Sequence, residues 1–222
     1  TGNLHHIDVR RLPKRSSLSY ANQHRSWEVF RDLYLNLYGR LSKSLPGPNI
    51  KFRIKSKILM LDSTLVSLSL KIFDWAIYRQ HKGAMKLHTL LDYQGAMPVF
   101  IHLTDGKVYD ATVAREMSIP KGSVLVCDRG YLDYELLNDW EKNKQVRFVV
   151  RNRKRMSYRV IKDLPAGSSN ILKDQIIELT NFYPRKKYTS KLRRVEVWDN
   201  ENKKIIILIT NQTKSWTAET IS

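Results

Sequence analysis

Cysteine, acidic residues and long apolar runs are all scarce in this 222-residue chain, and each shortage excludes a class of protein. The single cysteine, Cys127, excludes a disulfide scaffold and a four-cysteine zinc site. The longest apolar run, Ile205 to Ile209, has the length of a strand and falls far short of the ~18 residues of a membrane span. No signal peptide is present, so a reducing cytoplasmic location is expected. The first residue is Thr rather than Met, which suggests a piece of a longer protein.

The excess of basic residues is the strongest global feature. The chain has 39 Lys and Arg against 21 Asp and Glu, for a formal net charge of +18. Such a charge favours nucleic acid, because Lys and Arg near phosphates release condensed counterions. The basic residues are spread through strand-like and loop-like segments rather than along one amphipathic helix, which disfavours a membrane surface. A hydrophobic fraction of 42% is enough for a folded core.

Four segments are predicted from the pattern along the chain. Residues 1–55 form a partial N-terminal helical region, with apolar residues of 27–41 on one helical face. This face is expected to pack in a core or against a missing segment rather than to stack on nucleic acid. Residues 56–150 read as strand, hairpin, helix, strand, helix and strand, which is typical of a mixed α/β sheet covered by helices. Residues 151–204 are strongly basic and alternate as antiparallel β structure does, and residues 205–222 hold a buried strand and the start of a helix.

Two aspartates occupy positions that suit catalysis. Asp62 and Asp128 each follow a run of four apolar residues, so each is predicted at the end of a buried strand. If the two strands are parallel neighbours, the carboxylates lie close together and resist joint ionisation. A divalent cation removes that conflict, and oxygen ligands suit Mg²⁺ or Mn²⁺. The alternative, that both are ordinary strand-end residues making turn hydrogen bonds, stays open at this level.

Several short motifs carry a resemblance to a known family. They are Leu18-Ser19-Tyr20-Ala21-Asn22, Asp62-Ser63-Thr64, Lys82-Gly83-Ala84-Met85-Lys86-Leu87-His88, Asp105-Gly106-Lys107, Asp128-Arg129-Gly130-Tyr131 and Thr210-Asn211. With them the chain resembles, along nearly its whole length, the DDE transposases of bacterial insertion sequences. The group is the cut-and-paste one with a β insertion in its catalytic domain, insertion-sequence family four type.

The resemblance implies an RNase H-like catalytic core and assigns roles to the aspartates. Asp62 would be the first catalytic, metal-binding carboxylate and Asp128 the second, with a mainly β insertion over residues 151–204. The third acid of the family is a Glu within Tyr-x-x-Arg-x-x-x-Glu. That pattern does not occur before Ser222, and the spacing around Glu219 does not match it. A chain with two of three carboxylates is expected to bind metal poorly and not to cut DNA.

The function that the resemblance implies is metal-dependent DNA cleavage and strand transfer at insertion-sequence ends. The cofactor would be Mg²⁺ or Mn²⁺, and the partners double-stranded DNA of the terminal repeats and the target. The resemblance also implies a homodimer in a paired-end complex and a bacterial cytoplasm, at the nucleoid. Two alternatives stay open: another RNase H-like endonuclease, and a non-catalytic DNA-binding protein derived from a transposase.

Candidate DNA contacts are basic or aromatic residues near the two aspartates or in the basic segment. They are Lys86, His88, Arg129, Arg151, Arg153, Lys154, Arg155, Arg185, Lys186, Lys187 and Trp198. Lys86 and His88 share a strand face and could approach a phosphate, or form a merely solvated face. Trp198 could stack on an unpaired base, although a Trp on a β face more commonly packs. Asp105 and Asp110 are expected to serve as turn or cap residues.

Overall fold

The structure, a computed structural model, describes residues 13–41, 54–68, 77–79, 82–95, 97–152 and 155–222. The chain divides into two compact units, Thr1–Leu45 and Pro46–Ser222. Among the described residues, no helix is long and apolar enough to cross a membrane.

The first unit contains helices α1 (Arg15–His24) and α2 (Glu28–Leu41). Helix α2 begins where the sequence predicts, because the Ser26 hydroxyl accepts a hydrogen bond from the Glu28 backbone N–H at 3.2 Å. Its apolar face is not in a core among the described residues, since neither helix buries a side chain there, and packing against a missing segment stays a prediction. Trp27 and Phe30 are 67% and 70% exposed. Two short helices present no second layer that could enclose such a face.

The second unit is built on one sheet, whose first six strands come from the first half of the unit. They are β1 (Ile58–Leu68), β2 (Ile77–Arg79), β3 (Lys82–Asp92), β4 (Met97–Asp105), β5 (Val124–Cys127) and β6 (Arg147–Arg151). Strand β3 pairs antiparallel with β1 and β4, and the expected hairpin joins β3 to β4. Strands β1, β5 and β6 run parallel, and a helix precedes both β5 and β6, as crossover connections between parallel strands commonly have.

Helices α3 (Asp110–Glu116) and α4 (Tyr134–Lys142) connect the parallel strands. The side chain of Asp133 caps α4, because Oδ1 accepts from the backbone N–H groups of Glu135 and Leu136 at 3.0 and 2.9 Å. Leu136, Leu137 and Trp140 are fully buried, as their helical spacing predicts. The buried residues of α3 and α4 pack on one face of the sheet, and together they form the main core.

The basic half of the unit extends the same sheet. Its elements are β7 (Tyr158–Asp163), β8 (Ile171–Leu179), α5 (Phe182–Lys187), β9 (Leu192–Asp199), β10 (Lys204–Thr210) and α6 (Ala218–Ile221). The sheet order is β2-β3-β1-β5-β6-β10-β9-β8-β7, with β4 also paired to β3. The antiparallel β structure predicted for this half is confirmed, whereas α5 is a helix that alternation did not predict.

A buried ion pair ties the basic strands to the segment before α6. Arg193 on β9 donates two hydrogen bonds to Asp174 on β8, at 2.7 and 2.5 Å, and a third to the Trp216 carbonyl oxygen at 2.5 Å. The two side chains are only 5% and 1% exposed. Both hydrogen-bonding groups are therefore satisfied inside the protein. Helix α6 starts just after this anchor, and Ala218 and Ile221 pack into the second apolar cluster.

The observed architecture confirms the predicted mixed α/β sheet flanked by helices, with mainly β structure in the basic half. Strand β10 joins the basic half to the rest of the sheet, because it pairs antiparallel with β6. The boundaries of the four predicted segments stay predictions.

Candidate active site

The two predicted catalytic aspartates occupy corresponding positions where β1 and β5 part. The last pair in the parallel register of these strands is Leu61 opposite Cys127. Asp62 and Asp128 come one residue later, and both side chains are exposed. The apolar run predicts that strand β1 ends at Asp62. The strand continues instead, because it stays paired with β3 as far as Leu68. Asp62 therefore marks the loss of one partner strand rather than the end of a strand.

Alternation puts both carboxylates on the same face of the sheet. Leu61 and Cys127 belong to the main core, and Val126 packs on the opposite face in the second apolar cluster. Successive side chains of a strand point to opposite faces, so Asp62 lies away from the main core. Asp128 continues the extended backbone, with φ −80° and ψ 179°, and falls on the same face as Val126. Two like charges at neighbouring positions favour a shared cation, and their hard oxygen atoms suit Mg²⁺ or Mn²⁺.

The turn after β5 holds the Asp128 carboxylate. Residues Arg129–Tyr131 form one 3₁₀ turn, and Asp128 Oδ1 accepts a hydrogen bond from the Gly130 backbone N–H at 2.7 Å. A Cβ atom at Gly130 would lie 2.6 Å from Asp110 Oδ2 and 2.9 Å from Asp128 Oδ1. Real Cβ atoms do not tolerate such distances, so a side chain at residue 130 would displace one or both carboxylates from the turn.

Tyr131 is the last residue of this turn and anchors it in the main core. Its side chain is fully buried in the main core. Burial raises the pKa of the Tyr131 phenol, and the charges of Asp110 and Asp62 raise it further. The phenol therefore stays neutral beside the two carboxylates and supports the turn by packing.

Lys86 and His88 share a face of β3, as predicted, but that face lies against α3 and its preceding loop. Lys86 Nζ donates to the Val108 carbonyl oxygen at 2.7 Å and lies 3.1 Å from Asp110 Oδ1. His88 Nε2 is 3.0 Å from Thr104 Oγ1, and Nδ1 is 3.7 Å from Asp110 Oδ1. The three side chains thus form a network with the Asp110 carboxylate at its centre.

The burial of this network differs from what a phosphate contact needs. His88 is 0% exposed, and the side chain of Lys86 is 16% exposed. Burial lowers the pKa of His88; Asp110 opposes this effect, while Lys86 and His102 add to it. A buried, neutral imidazole does not meet DNA in this conformation. The sequence prediction assigned Asp110 to a turn or cap role; in the structure Asp110 is the first residue of α3, and Tyr109 is the N-cap residue. Asp105 does make a turn bond, accepting from Lys107 N at 2.8 Å.

A third metal ligand is not found among the residues that the structure describes. In those ranges, no three His, Cys, Asp or Glu residues lie together in a way that could hold a metal ion. Glu219 lies in the first turn of α6, and its carboxylate contacts Gly167 in the connection between β7 and β8. Asp62 and Asp128 fit a Mg²⁺ or Mn²⁺ site in chemistry, and as a pair they supply part of its ligands.

The other candidate DNA contacts are distributed over the turn after β5 and the basic half. Arg129, Arg155, Arg185, Lys186 and Lys187 are exposed. Arg151 and Trp198 are partly buried on strands β6 and β9. Arg153 and Lys154 lie outside the described residues.

Helix α5 carries two aromatic residues that the sequence reading did not single out. Phe182 and Tyr183 are 72% and 76% exposed. Phe182, Arg185 and Lys186 line an open cavity of about 560 Å³. The available signal was Pro184, since proline is tolerated in the first turn of a helix. The exposed residues Arg185, Lys186 and Lys187 are clustered in the last turn of this helix rather than spaced along a strand.

Comparison with known proteins places this site in a family. Residues 53–221 match the family described as "Transposase DDE domain". The chain is 27% identical over 150 residues to a protein of Sinorhizobium fredii assigned as the transposase y4zB, covering 68% of this chain and 40% of that protein. It is also 27% identical over 173 residues to a protein of Geobacillus stearothermophilus assigned as the transposase for insertion sequence element IS5377, covering 77% of this chain and 44% of that protein.

The chain therefore spans less than half the length of these two relatives. Among solved structures, it is similar to piggyBac transposase in a synaptic complex with hairpin DNA. The TM-score is 0.43 at 13% sequence identity, covering 74% of this chain and 35% of that one.

Proposed function

The chain belongs to the transposase DDE domain family, and from this premise we propose that it forms part of an enzyme that cleaves and joins DNA at insertion-sequence ends. The observation that carries the proposal is the placement of Asp62 and Asp128. Both lie inside the matched region, one residue beyond the last register pair of two parallel strands. The catalytic and metal-binding roles of both aspartates are part of this proposal.

The residues of the chain prepare the site for phosphodiester chemistry. Asp62 and Asp128 would hold Mg²⁺ or Mn²⁺, which when bound activates the attacking hydroxyl and stabilises the leaving oxygen. The Gly130 N–H fixes one oxygen of Asp128, so that less carboxylate freedom is lost on binding. The buried strands below provide a rigid base for both ligands.

We further propose that the third carboxylate lies outside residues 1–222. The motif that carries it in the family is not in this sequence, and Asp62 and Asp128 have no third ligand among the described residues. Two carboxylates supply too little negative charge to hold a metal pair. The 222-residue chain alone would then bind DNA but leave it uncut.

The proposed partners are double-stranded DNA of the terminal repeats and of the target. The charge of +18 and the exposed cluster Arg185–Lys187 support DNA binding through phosphates. In this proposal residues 151–204 form an insertion that clamps the DNA, with Arg129 nearer the cut. A homodimer in a paired-end complex and a location at the bacterial nucleoid stay predictions.

The test is cleavage of a labelled duplex that carries the terminal repeat of the element, with Mg²⁺ or Mn²⁺ present. The complete gene product that contains these residues is expected to nick the duplex at the repeat, and residues 1–222 alone are not. Cleavage without regard to the repeat would favour another endonuclease of this fold. DNA binding without cleavage by the complete product would favour a non-catalytic derivative.

A further inference from the structure

Asp110 connects the buried pair on β3 to the turn that carries Asp128. It is the first residue of α3, and its carboxylate is 17% exposed. One oxygen, Oδ1, lies 3.1 Å from Lys86 Nζ, and the other, Oδ2, faces the α-carbon of Gly130. Its two oxygens therefore face a lysine of the sheet and a glycine of the turn after β5.

The lysine side of this connection is held firmly. Lys86 Nζ also donates to the Val108 carbonyl oxygen at 2.7 Å, so the ammonium group is fixed before it meets the carboxylate. His88 fills the space beside it, with its ring against Thr104 Oγ1. An ion pair between two mostly buried groups is stronger than one in water, because the surroundings have a lower dielectric constant. Asp110 consequently has one preferred position.

The glycine side transmits that position to Asp128. Asp110 Oδ2 occupies space that a Cβ at residue 130 would need, and the Gly130 N–H in turn binds Asp128 Oδ1. If Asp110 were smaller, the Gly130 backbone could shift toward it and the bond to Asp128 would lengthen. The contact therefore limits where the second catalytic carboxylate can lie.

Charge indicates that Asp110 acts through the turn rather than by binding the metal. Its Oδ1 is directed at Lys86, which offsets the negative charge. Lys86 thus supplies the positive charge next to a carboxylate that lies close to Asp128 across Gly130. The ion pair allows the two carboxylates to lie on either side of one glycine.

We propose that Asp110 is a positioning residue for Asp128: held by Lys86, it fixes Gly130 and thereby the orientation of the Asp128 carboxylate. This inference rests on the proposed function for its catalytic meaning. The structural part, from Asp110 through Gly130 to Asp128, can be measured without catalysis.

The test compares Asp110→Ala with Asp105→Ala in the complete gene product that contains these residues. Asp105 is the matched control, because it is the last residue of β4, just before the connection to α3, and its side chain accepts a hydrogen bond from Lys107 N in its own turn. The first readout is hydrogen exchange of the Gly130 amide by NMR in the absence of metal. The exchange is expected to be faster in Asp110→Ala than in the wild type and unchanged in Asp105→Ala.

The second readout is the affinity for Mn²⁺, measured by calorimetry. Groups that orient metal ligands typically contribute 10–100-fold to affinity, so Asp110→Ala is expected to weaken binding about tenfold. Asp110→Asn keeps the volume beside Gly130 and should recover part of the loss. Gly130→Ala approaches the same contact from the other side and should weaken Mn²⁺ binding by a similar factor.

The outcomes separate this inference from the proposed function. Wild-type exchange at Gly130 in a folded Asp110→Ala protein would overturn the positioning role. If Asp110→Ala does not fold, wild-type Mn²⁺ affinity in Gly130→Ala overturns it instead. If the wild type binds no Mn²⁺ and cuts no DNA, the proposed function fails, and the exchange of the Gly130 amide still decides whether Asp110 holds the turn.

Discussion

Asp62 and Asp128 are each one residue beyond the last pair of the parallel register between β1 and β5, and both lie on the sheet face opposite the main core. Their corresponding positions thus depend on strand pairing rather than on the conformation of a long loop. A substitution that keeps side-chain volume should leave this framework intact and change only the charge at the site.

Asp62→Asn or Asp128→Asn in the complete gene product should abolish metal-dependent cleavage and leave DNA binding nearly unchanged. The change removes a ligand charge, and losing metal-assisted stabilisation of the transition state costs several kcal/mol, at a factor of ten in rate for each ~1.4 kcal/mol. Cleavage rates and binding isotherms on the same duplex measure the two effects. Glu116→Gln, an exposed acid on α3, is the control and should cleave normally. Full cleavage by either Asn variant would remove that aspartate from the active site.

DNA binding by the 222-residue chain should depend strongly on salt and weakly on sequence. With ~6 phosphate contacts, the slope of log affinity against log salt should be roughly −5. Replacing Arg185 and Lys186 by Ala should flatten the slope by about 2, because each lost contact reduces the number of released counterions. Fluorescence anisotropy across a salt titration measures both. The same change at Lys121 and Lys142, outside the proposed insertion, should have a smaller effect; an equal effect would argue against a DNA contact at α5.

Protein stability should fall as the pH is lowered below neutrality, in part through His88. Burial lowers the pKa of His88 in the folded state, where it faces Lys86 on its own strand, His102 on β4 and Asp110 on α3. As the pH falls below about 6.5, His88 is therefore protonated in the unfolded chain before it is protonated in the folded protein. The stabilisation is complete above the unfolded pKa of ~6.5 and is lost as the pH falls through the folded value.

Urea denaturation at several pH values between 7.5 and 5 measures this dependence. His88→Gln should be less stable at neutral pH but lose less stability on acidification. The control is His102→Gln on the neighbouring strand, where the side chain is exposed. If the wild type and His88→Gln lose equal stability between these pH values, His88 does not contribute to the acid sensitivity.

Breaking the Asp174–Arg193 pair should be the most destabilising single charge removal in the basic half. Asp174→Ala leaves a buried guanidinium without its partner, which typically costs about 3–5 kcal/mol. The control is Glu178→Ala on the same strand. Its partner Arg159 is 68% exposed, so little stability should be lost. Urea denaturation of both variants gives the comparison, and similar losses would show that the buried pair contributes no more than the surface pair.

Local patterns in the sequence predicted a large part of this fold. The four-residue apolar runs gave β5 and the start of β1, and the spacing of Leu136, Leu137 and Trp140 gave the buried face of α4. These features depend on the period of each element and on capping residues close in sequence, which are visible without tertiary structure. The positions of Asp62 and Asp128 just beyond the paired parts of β1 and β5 were likewise predictable, because each residue follows its own apolar run.

Long-range contacts explain what the sequence did not predict. The continuation of β1 past Asp62 depends on its pairing with β3, and nothing in the run itself indicates it. The burial of His88 and the role of Asp110 depend on α3 covering that face of β3. Helix α5 was missed because its six residues are too few to show a helical period.

The continuity of the sheet restricts how the basic half could be gained or lost in evolution. Strand β10 pairs with β6 over Leu208 to Thr210 and with β9 along its whole length. Deleting residues 152–203 would leave β10 as an edge strand beside β6, rich in isoleucine and with Lys204 as its single charged residue. Edges of this kind recruit other chains into intermolecular sheets. A shortened descendant would need a replacement strand or a more strongly charged edge to stay monodisperse. Residues 152–203 thus protect the sheet from aggregation by covering the edge of β10 with β9.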